Sequence, residues 1–236
     1  MQTWKNRSII GANEYVVLKQ MNDGQLDTVR FLLGKKHRNV VEYLDVRVID
    51  GKAVVIEEFL KGRTLDQIIR SEQREFTEKE ILKIGVDICE GLRFLHGLTP
   101  PLIHGDIKPE NLMYISDTKS RNMISNMDER SHIILLDADD AYIWQDAPVY
   151  AKNRGTFGFC APEQREGKMP DFSWDMYGLG KTLEFLYLGT DNKPHKKALE
   201  SIINKMTATE AIYRFVTVSE CKTVLESCLF HWYGYR

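Results

Sequence analysis

Several features that mark other classes of protein are scarce in this chain of 236 residues. It has only four cysteines, with no Cys-x-x-Cys pair and apolar neighbours, so we expect buried thiols, no disulfide and no zinc site. Its 32 Lys and Arg nearly balance its 34 Asp and Glu, which gives no electrostatic case for binding nucleic acid or an anionic membrane. No apolar run is suited to a bilayer span or a signal peptide, so we expect a cytoplasmic protein.

The segment 103–113 concentrates the polar residues whose chemistry is most specific. Asp106, Lys108 and Asn111 stand close together there, and Pro109 prevents a regular helix, so we predict a polar loop between two apolar segments. Phosphoryl transfer needs a carboxylate that orients the attacking hydroxyl, a cation near the moving phosphoryl charge, and oxygen ligands for Mg²⁺. The three side chains match these needs in that order.

This segment resembles the catalytic loop of the protein-kinase superfamily, His-Arg-Asp-x-Lys-Pro-x-Asn, with Gly105 in place of the Arg. The resemblance implies that Asp106 accepts the proton of the acceptor hydroxyl, Lys108 steadies the γ-phosphoryl group and Asn111 binds Mg²⁺. In the family the missing Arg docks a phosphate of the activation loop. We therefore predict that loop phosphorylation is not required for activity.

A second ligand for Mg²⁺ is expected at the end of the apolar strand 132–137. Asp137 begins the run Asp-Ala-Asp where the family has Asp-Phe-Gly, and the resemblance implies that its carboxylate binds the metal ion. The segment 116–131 before this strand is polar and charged, and we expect it to be a solvated insertion.

The segment 155–163 resembles Gly-Thr-x-x-Tyr-x-Ala-Pro-Glu, the end of the family's activation segment. The resemblance implies that Thr156 lies beside the catalytic loop. It also implies that Glu163 forms a buried ion pair, for which Arg214 is the candidate. Asp175 resembles the Asp at the start of the family's long central helix, where we expect it to accept backbone hydrogen bonds from its own helix or from the catalytic loop.

The segments 14–19 and 54–60 read as strands and resemble the two that border the family's nucleotide site. The first resembles Val-Ala-Ile-Lys, which makes Lys19 the candidate for the α- and β-phosphates of ATP. By the second, Ile56 is the gatekeeper at the back of the site. The other nucleotide-binding candidates by this resemblance are Val17 in the adenine roof, backbone groups of Glu57 and Phe59, and Met113 under the adenine.

Two family features are missing near the start of the chain. A Gly-rich loop belongs before the lysine strand, but Gly11 is the only glycine among the 18 residues available. In the family, a Glu on the next helix pairs with the lysine, but the helix predicted over 25–36 has Thr28 at the matching place. Asp27 beside it is either a shorter partner for Lys19 or an exposed acid.

The ordered series of motifs predicts an α+β protein with the two-lobed protein-kinase-like fold. We expect a small lobe over 1–60, with a truncated sheet and one helix, and a mostly helical lobe over 61–236. Mg-ATP would bind between them.

The function implied is transfer of the ATP γ-phosphoryl group to a Ser or Thr hydroxyl on a protein, since the resemblance associates Lys108 and Thr156 with such acceptors. An activating protein partner that completes the small lobe is a further expectation. Two alternatives stay open. The missing loop and helix Glu favour a pseudokinase that acts as a nucleotide- or protein-binding scaffold, and His-Gly-Asp-x-x-x-x-Asn also fits a small-molecule kinase of the aminoglycoside or choline type.

Overall fold

The computed structural model describes residues 4–6, 16–21, 23–116, 131–144, 155–191 and 193–234. The strands are β1 (Trp4–Asn6), β2 (Val16–Gln20), β3 (Tyr43–Ile49), β4 (Lys52–Glu58), β5 (Arg63–Thr64), β6 (Leu102–Ile103), β7 (Leu112–Ile115), β8 (His132–Leu135) and β9 (Tyr142–Ile143). The helices are α1 (Asp23–Leu32), α2 (Leu65–Glu72), α3 (Glu78–His96), α4 (Pro162–Arg165), α5 (Phe172–Leu188), α6 (Lys196–Met206) and α7 (Val218–Tyr233). Most of the expected insertion, 117–130, and residues 7–15, where a Gly-rich loop would lie, fall outside the described residues.

The predicted α+β class is confirmed. Small antiparallel sheets, the largest with strand order β1-β2-β4-β3, precede or border a mostly helical remainder. The lysine strand is β2, which begins with two β-branched valines and pairs antiparallel with β4. Its register sets Val17 opposite Glu57 and Lys19 opposite Val55, so these four side chains share one face of the sheet.

The first helix is shorter than predicted and starts earlier. It runs from Asp23 to Leu32, whereas the sequence pattern predicts residues 25–36. After it, the chain joins the helical part through backbone hydrogen bonds: Val41 donates to Leu135, and Leu135 donates to Asn39, each at 2.9 Å. The strand that leads toward Asp137 is therefore tied directly to the segment that connects α1 to the large sheet.

The long helix α3 forms the centre of the core. It begins after Thr77, which closes a capping box with Glu80 in which each side chain accepts from the other's backbone amide. Most of its apolar residues are fully buried, and the helix packs against α5, α7 and β8. Its far end at His96 precedes the catalytic loop, so the core holds that loop in place.

The four cysteines of the chain all lie among the described residues. All four cysteines carry free thiols, with Cys89 and Cys221 fully buried. Among the described residues, no helix combines the length and the apolar character needed to cross a bilayer.

A partly buried acid on α3 makes stability depend on pH. Asp87 accepts a hydrogen bond from the amide of Ile133 at 3.1 Å, but burial raises the pKa of Asp87 to about 6. The folded state therefore holds this proton more tightly than the unfolded state, and stability falls as pH rises from about 4 through about 6.

We expect Asp87→Asn to remove this loss. Between pH 4 and pH 7 the free energy of unfolding of the variant should rise by about 2 kcal/mol relative to that of the wild type. The amide oxygen still accepts from Ile133. Urea unfolding at both pH values, with the surface variant Glu200→Gln on α6 as control, measures the difference. An equal offset between Asp87→Asn and wild type at both pH values contradicts the prediction.

Candidate active site

The catalytic loop lies between β6 and β7, and a buried carboxylate from α5 fixes its entry. Asp175 accepts hydrogen bonds from the backbone amides of His104 at 2.9 Å and Gly105 at 2.7 Å. The Nε2 of His96 lies 2.8 Å from the same carboxylate, whose side chain is fully buried. The sequence predicts that Asp175 binds backbone amides of its own helix or of the catalytic loop. In the structure it binds those of the catalytic loop.

Two glycines allow the loop to take this path. Gly105 has φ +76°, and a Cβ there would lie 3.2 Å from the ring of Tyr142. An arginine at this position would therefore be strained and obstructed. Gly178 of α5 lies against Ile107, where a Cβ would come within 3.1 Å of the Ile107 side chain and carbonyl. The central helix thus packs directly under the loop.

Asp106 is held by four hydrogen-bond donors. Its Oδ1 accepts from the backbone amide of Thr156 at 3.1 Å and from its hydroxyl at 2.9 Å. Its Oδ2 lies 2.6 Å from Lys108 Nζ and accepts from Asn111 Nδ2 at 3.1 Å. Lys108 also donates to the Thr156 hydroxyl at 2.6 Å. The structure therefore brings together the carboxylate, the ammonium group and the Thr of the activation segment.

Asn111 and Asp137 approach each other at the ends of two paired strands. Leu112 pairs with Leu135 in the β7–β8 ladder, and the Leu136 amide donates to the Asn111 carbonyl at 2.9 Å. The next residue, Asp137, has a left-handed backbone with φ 57°. Non-glycine residues rarely adopt this conformation, so the surrounding contacts must hold it.

Lys19 is surrounded by acids. Its Nζ contacts Asp137 most closely and lies 3.1 Å from Glu57 and 3.3 Å from Asp139. Burial opposes the charge of Lys19, but the three carboxylates outweigh burial and raise its pKa above the usual value. Burial also raises the pKa of Glu57 to about 7, against the attraction of Lys19. Three carboxylates thus share one ammonium group.

The gatekeeper prediction is wrong by one residue. Ile56 pairs with Leu18, on the face of the sheet opposite Lys19, because successive strand residues point to opposite faces. Glu57 instead directs its side chain toward Lys19 and is 4% exposed. The side chain beside Lys19 is therefore a buried acid, where an apolar gatekeeper was expected.

The other nucleotide candidates lie on β2, directly after β4 and on β7. Val17 lies on the Lys19 face of β2, half-buried, and Phe59 follows the end of β4 with 43% of its surface exposed. Met113 is half-buried on β7, between Thr64 of β5 and Ile134 of β8.

Helix α1 does not bring Asp27 to the lysine. Asp27 is exposed and lies 3.6 Å from Arg30. Of the two alternatives for Asp27, a partner for Lys19 or an exposed acid, the structure therefore shows the exposed acid. Thr28, at the place of the family's Glu, is buried and donates to the carbonyl of Ala141 at 3.2 Å. Gln25 donates to Asp140 at 2.9 Å. The helix therefore contacts the 138–141 segment through neutral side chains.

The end of the activation segment is bound by a bidentate ion pair. Arg214 Nη1 and Nη2 donate to the two carboxylate oxygens of Glu163 at 2.6 and 2.9 Å. The guanidinium also donates to the carbonyls of Ser173, Ala208 and Thr209, and its side chain is fully buried. One arginine thus connects α4, the start of α5 and the loop after α6.

The comparison with known families decides the relationship. The model of the protein kinase domain family matches residues 12–231, almost the whole chain. The chain belongs to the protein kinase family.

Curated relatives of this protein kinase domain include serine/threonine-protein kinase A of Synechocystis, 31% identical over 163 residues, or 65% of the chain. The LRR receptor-like serine/threonine-protein kinase EFR of Arabidopsis thaliana is 29% identical over 79% of the chain. The serine/threonine-protein kinase WNK4 of Homo sapiens is 27% identical over 86% of the chain. The matched regions span only 29%, 19% and 16% of these three proteins.

The donor set of this kinase domain fits Mg²⁺ held together with a nucleotide. Lys19 balances one of its three neighbouring carboxylates, so an excess of negative charge remains beside Asp137 and Asn111. Among the described residues, no group of three or more His, Cys, Asp and Glu side chains forms a metal site. Mg²⁺ commonly takes one or two protein ligands and completes its octahedron with phosphates and water, which suits this arrangement.

Sequence reasoning missed several polar residues that the kinase domain uses to build the site. The side chains of Asp139 and Glu57 meet at Lys19, and Tyr43 donates to Asp139 at 3.1 Å. Gln164 donates to the Gly105 carbonyl at 2.7 Å. A signal for Glu57 was present, because it directly follows the apolar run Val54-Val55-Ile56 of a central strand. The others are polar residues without a motif of their own.

Proposed function

We propose that this protein kinase domain transfers the γ-phosphoryl group of Mg-ATP to a Ser or Thr hydroxyl on a protein substrate. The observation that carries the proposal is the contact of Asp106 with both Lys108 and the Thr156 hydroxyl. A carboxylate, a cation and an activation-segment hydroxyl in mutual contact are what alignment of an acceptor hydroxyl requires.

The two lobes proposed are residues 1–60 and 61–236, with ATP between them. In this arrangement Lys19 binds the α- and β-phosphates. Val17, Met113 and the backbone groups of Glu57 and Phe59 border the base. Asn111 and Asp137 would hold Mg²⁺, which draws charge from the phosphates as the phosphoryl group moves. The ion pair of Glu163 with Arg214 holds the end of the activation segment, and the Asp175 carboxylate holds the catalytic loop.

The residues of this chain suggest how the acceptor gains access to Asp106. Its four lone-pair positions are filled by Thr156, Lys108 and Asn111, so the acceptor hydroxyl needs one of these donors to leave. Lys108 is suited to do so, because a γ-phosphoryl group offers its ammonium a more highly charged partner. Asp106 then accepts the hydroxyl proton as the acceptor oxygen attacks the γ-phosphorus, whose bond to the β,γ-bridging oxygen breaks and releases ADP.

Transfer of labelled phosphate from Mg-ATP tests the proposal. The acceptors are the protein itself, a generic basic protein, an aminoglycoside and choline. Labelled phosphoserine or phosphothreonine in either protein supports the proposal, and label found only in a small molecule overturns it. Nucleotide binding without any transfer would make the domain a binding scaffold, the alternative that the absence of a Glu from α1 favours.

Activity is expected without phosphorylation of the activation loop. Gly105 offers no cation to a phosphate, and its backbone and the Tyr142 ring leave no room for one. Treatment with a phosphatase, checked by mass spectrometry, should leave the rate of transfer unchanged. A treated protein that is inactive and recovers when residues within 138–160 are phosphorylated would show the prediction to be wrong.

A further inference from the structure

Lys19 needs a partner that holds its ammonium group in place, and α1 supplies no Glu for this task. We propose that Glu57 of β4 and Asp139, after β8, are the positioning residues for Lys19, an assignment that rests on the nucleotide site of the proposed function. Neither side chain has to touch the nucleotide. Both act by fixing Lys19 where the phosphates bind.

The sheet register carries the case for Glu57. It lies diagonally across the β2–β4 ladder from Lys19, a separation that long side chains can span. The carboxylate is buried and 3.1 Å from Nζ. Because both residues stand on adjacent strands of one sheet, the distance between their backbones is fixed by the ladder. A helix that docks on the sheet offers a less rigid support.

Asp139 approaches Lys19 from the other side of the cleft. It is 5% exposed in the short 3-10 turn 138–140, and its Oδ1 accepts from the hydroxyl of Tyr43 at 3.1 Å. The same oxygen lies 3.3 Å from Lys19 Nζ. Tyr43 pairs with Glu57 in the β3–β4 ladder, so its ring holds Asp139 on the same face as Glu57.

Charge balance explains why two such acids are useful. The third acid on Lys19 is Asp137, which the proposed function assigns to Mg²⁺. Without the side-chain carboxylates of Glu57 and Asp139, Asp137 would be the one described carboxylate within 4 Å of Lys19 Nζ. Glu57 and Asp139 would therefore still hold Lys19 if Asp137 turned to the metal ion.

The test compares the binding of ADP and of adenosine, measured by isothermal titration calorimetry with Mg²⁺ present. The variants are Glu57→Gln, Asp139→Asn and Lys19→Met, and Asp27→Asn on the exposed face of α1 is the matched control. If Lys19 is no longer held in place, its contact with the phosphates of ADP weakens. Adenosine has no phosphate and is not affected. We therefore expect each acid variant to raise the Kd for ADP about tenfold, with the Kd for adenosine unchanged and the control equal to wild type.

The double variant Lys19→Met/Glu57→Gln separates positioning from general damage. If Glu57 acts through Lys19, the second substitution adds no further loss of ADP affinity. Additive losses, equal losses for adenosine and ADP, or an unchanged Kd for ADP in both acid variants would overturn the inference, as would a wild type that does not bind ADP. These readouts need no phosphoryl transfer, so a wild type that binds ADP but transfers nothing refutes the proposed function alone.

Discussion

Asp106→Asn is expected to lower the rate of phosphoryl transfer by a factor of about 10² to 10⁴, because the variant has no carboxylate to accept the hydroxyl proton. The substitution also turns a carboxylate oxygen into an amide oxygen or NH₂ group beside Lys108, which lies 2.6 Å from Oδ2 in the wild type. Initial rates with saturating Mg-ATP, together with the Kd for ADP, measure the effect. The expected pattern is a large fall in kcat with ADP affinity retained.

Asp191→Asn is the matched control for this experiment, since Asp191 is exposed on the short connection between α5 and α6. Its rate should equal that of the wild type. Full activity in a well-folded Asp106→Asn variant would remove Asp106 from the chemistry. A parallel loss of activity and ADP affinity would instead indicate that Asp106 mainly supports the cleft.

Arg214→Met should reduce the free energy of unfolding by about 3 to 5 kcal/mol, because it leaves the Glu163 carboxylate without its cation in a largely buried position. The carbonyls of Ser173, Ala208 and Thr209 lose a donor at the same time. Urea denaturation followed by circular dichroism measures the loss. Transfer activity should fall as well, because the ion pair fixes the end of the activation segment.

Two further variants show whether the charge pair is the cause. Arg214→Lys keeps the charge but not the two parallel hydrogen bonds, so we expect an intermediate loss. Glu163→Gln combined with Arg214→Met should cost less than the sum of the single changes, since neither charge is then left alone. A change of less than about 1 kcal/mol in Arg214→Met would place this pair with ordinary surface ion pairs.

The sequence was most informative where short motifs and helix signals coincide. The family and the α+β class followed from the catalytic loop and its ordered neighbours, and both are confirmed. The start of α3 was readable because Thr77 and Glu80 form a capping box, whose two hydrogen bonds depend only on local spacing. Such features need no knowledge of distant contacts.

The surroundings of Lys19 could not be predicted in the same way. Whether Ile56 or Glu57 faces the lysine depends on strand register, and a shift of one residue exchanges the two faces. Asp139 reaches the site because the turn after Asp137 places it against Tyr43, a contact across 96 residues. A family motif names the expected partner on the helix, but only tertiary structure shows which acids lie beside the lysine.

The connection between β2 and α1 limits how this domain could be controlled. Met21 is buried and its amide bonds to Ala53, so residue 22 alone separates an anchored strand from the first residue of α1. Two residue steps span at most about 7 Å, and α1 therefore cannot move far without pulling on the lysine strand. A shift of the whole helix away from the sheet would therefore disturb β2. We expect any signal that displaces α1 as a whole to disturb Lys19 on β2 as well.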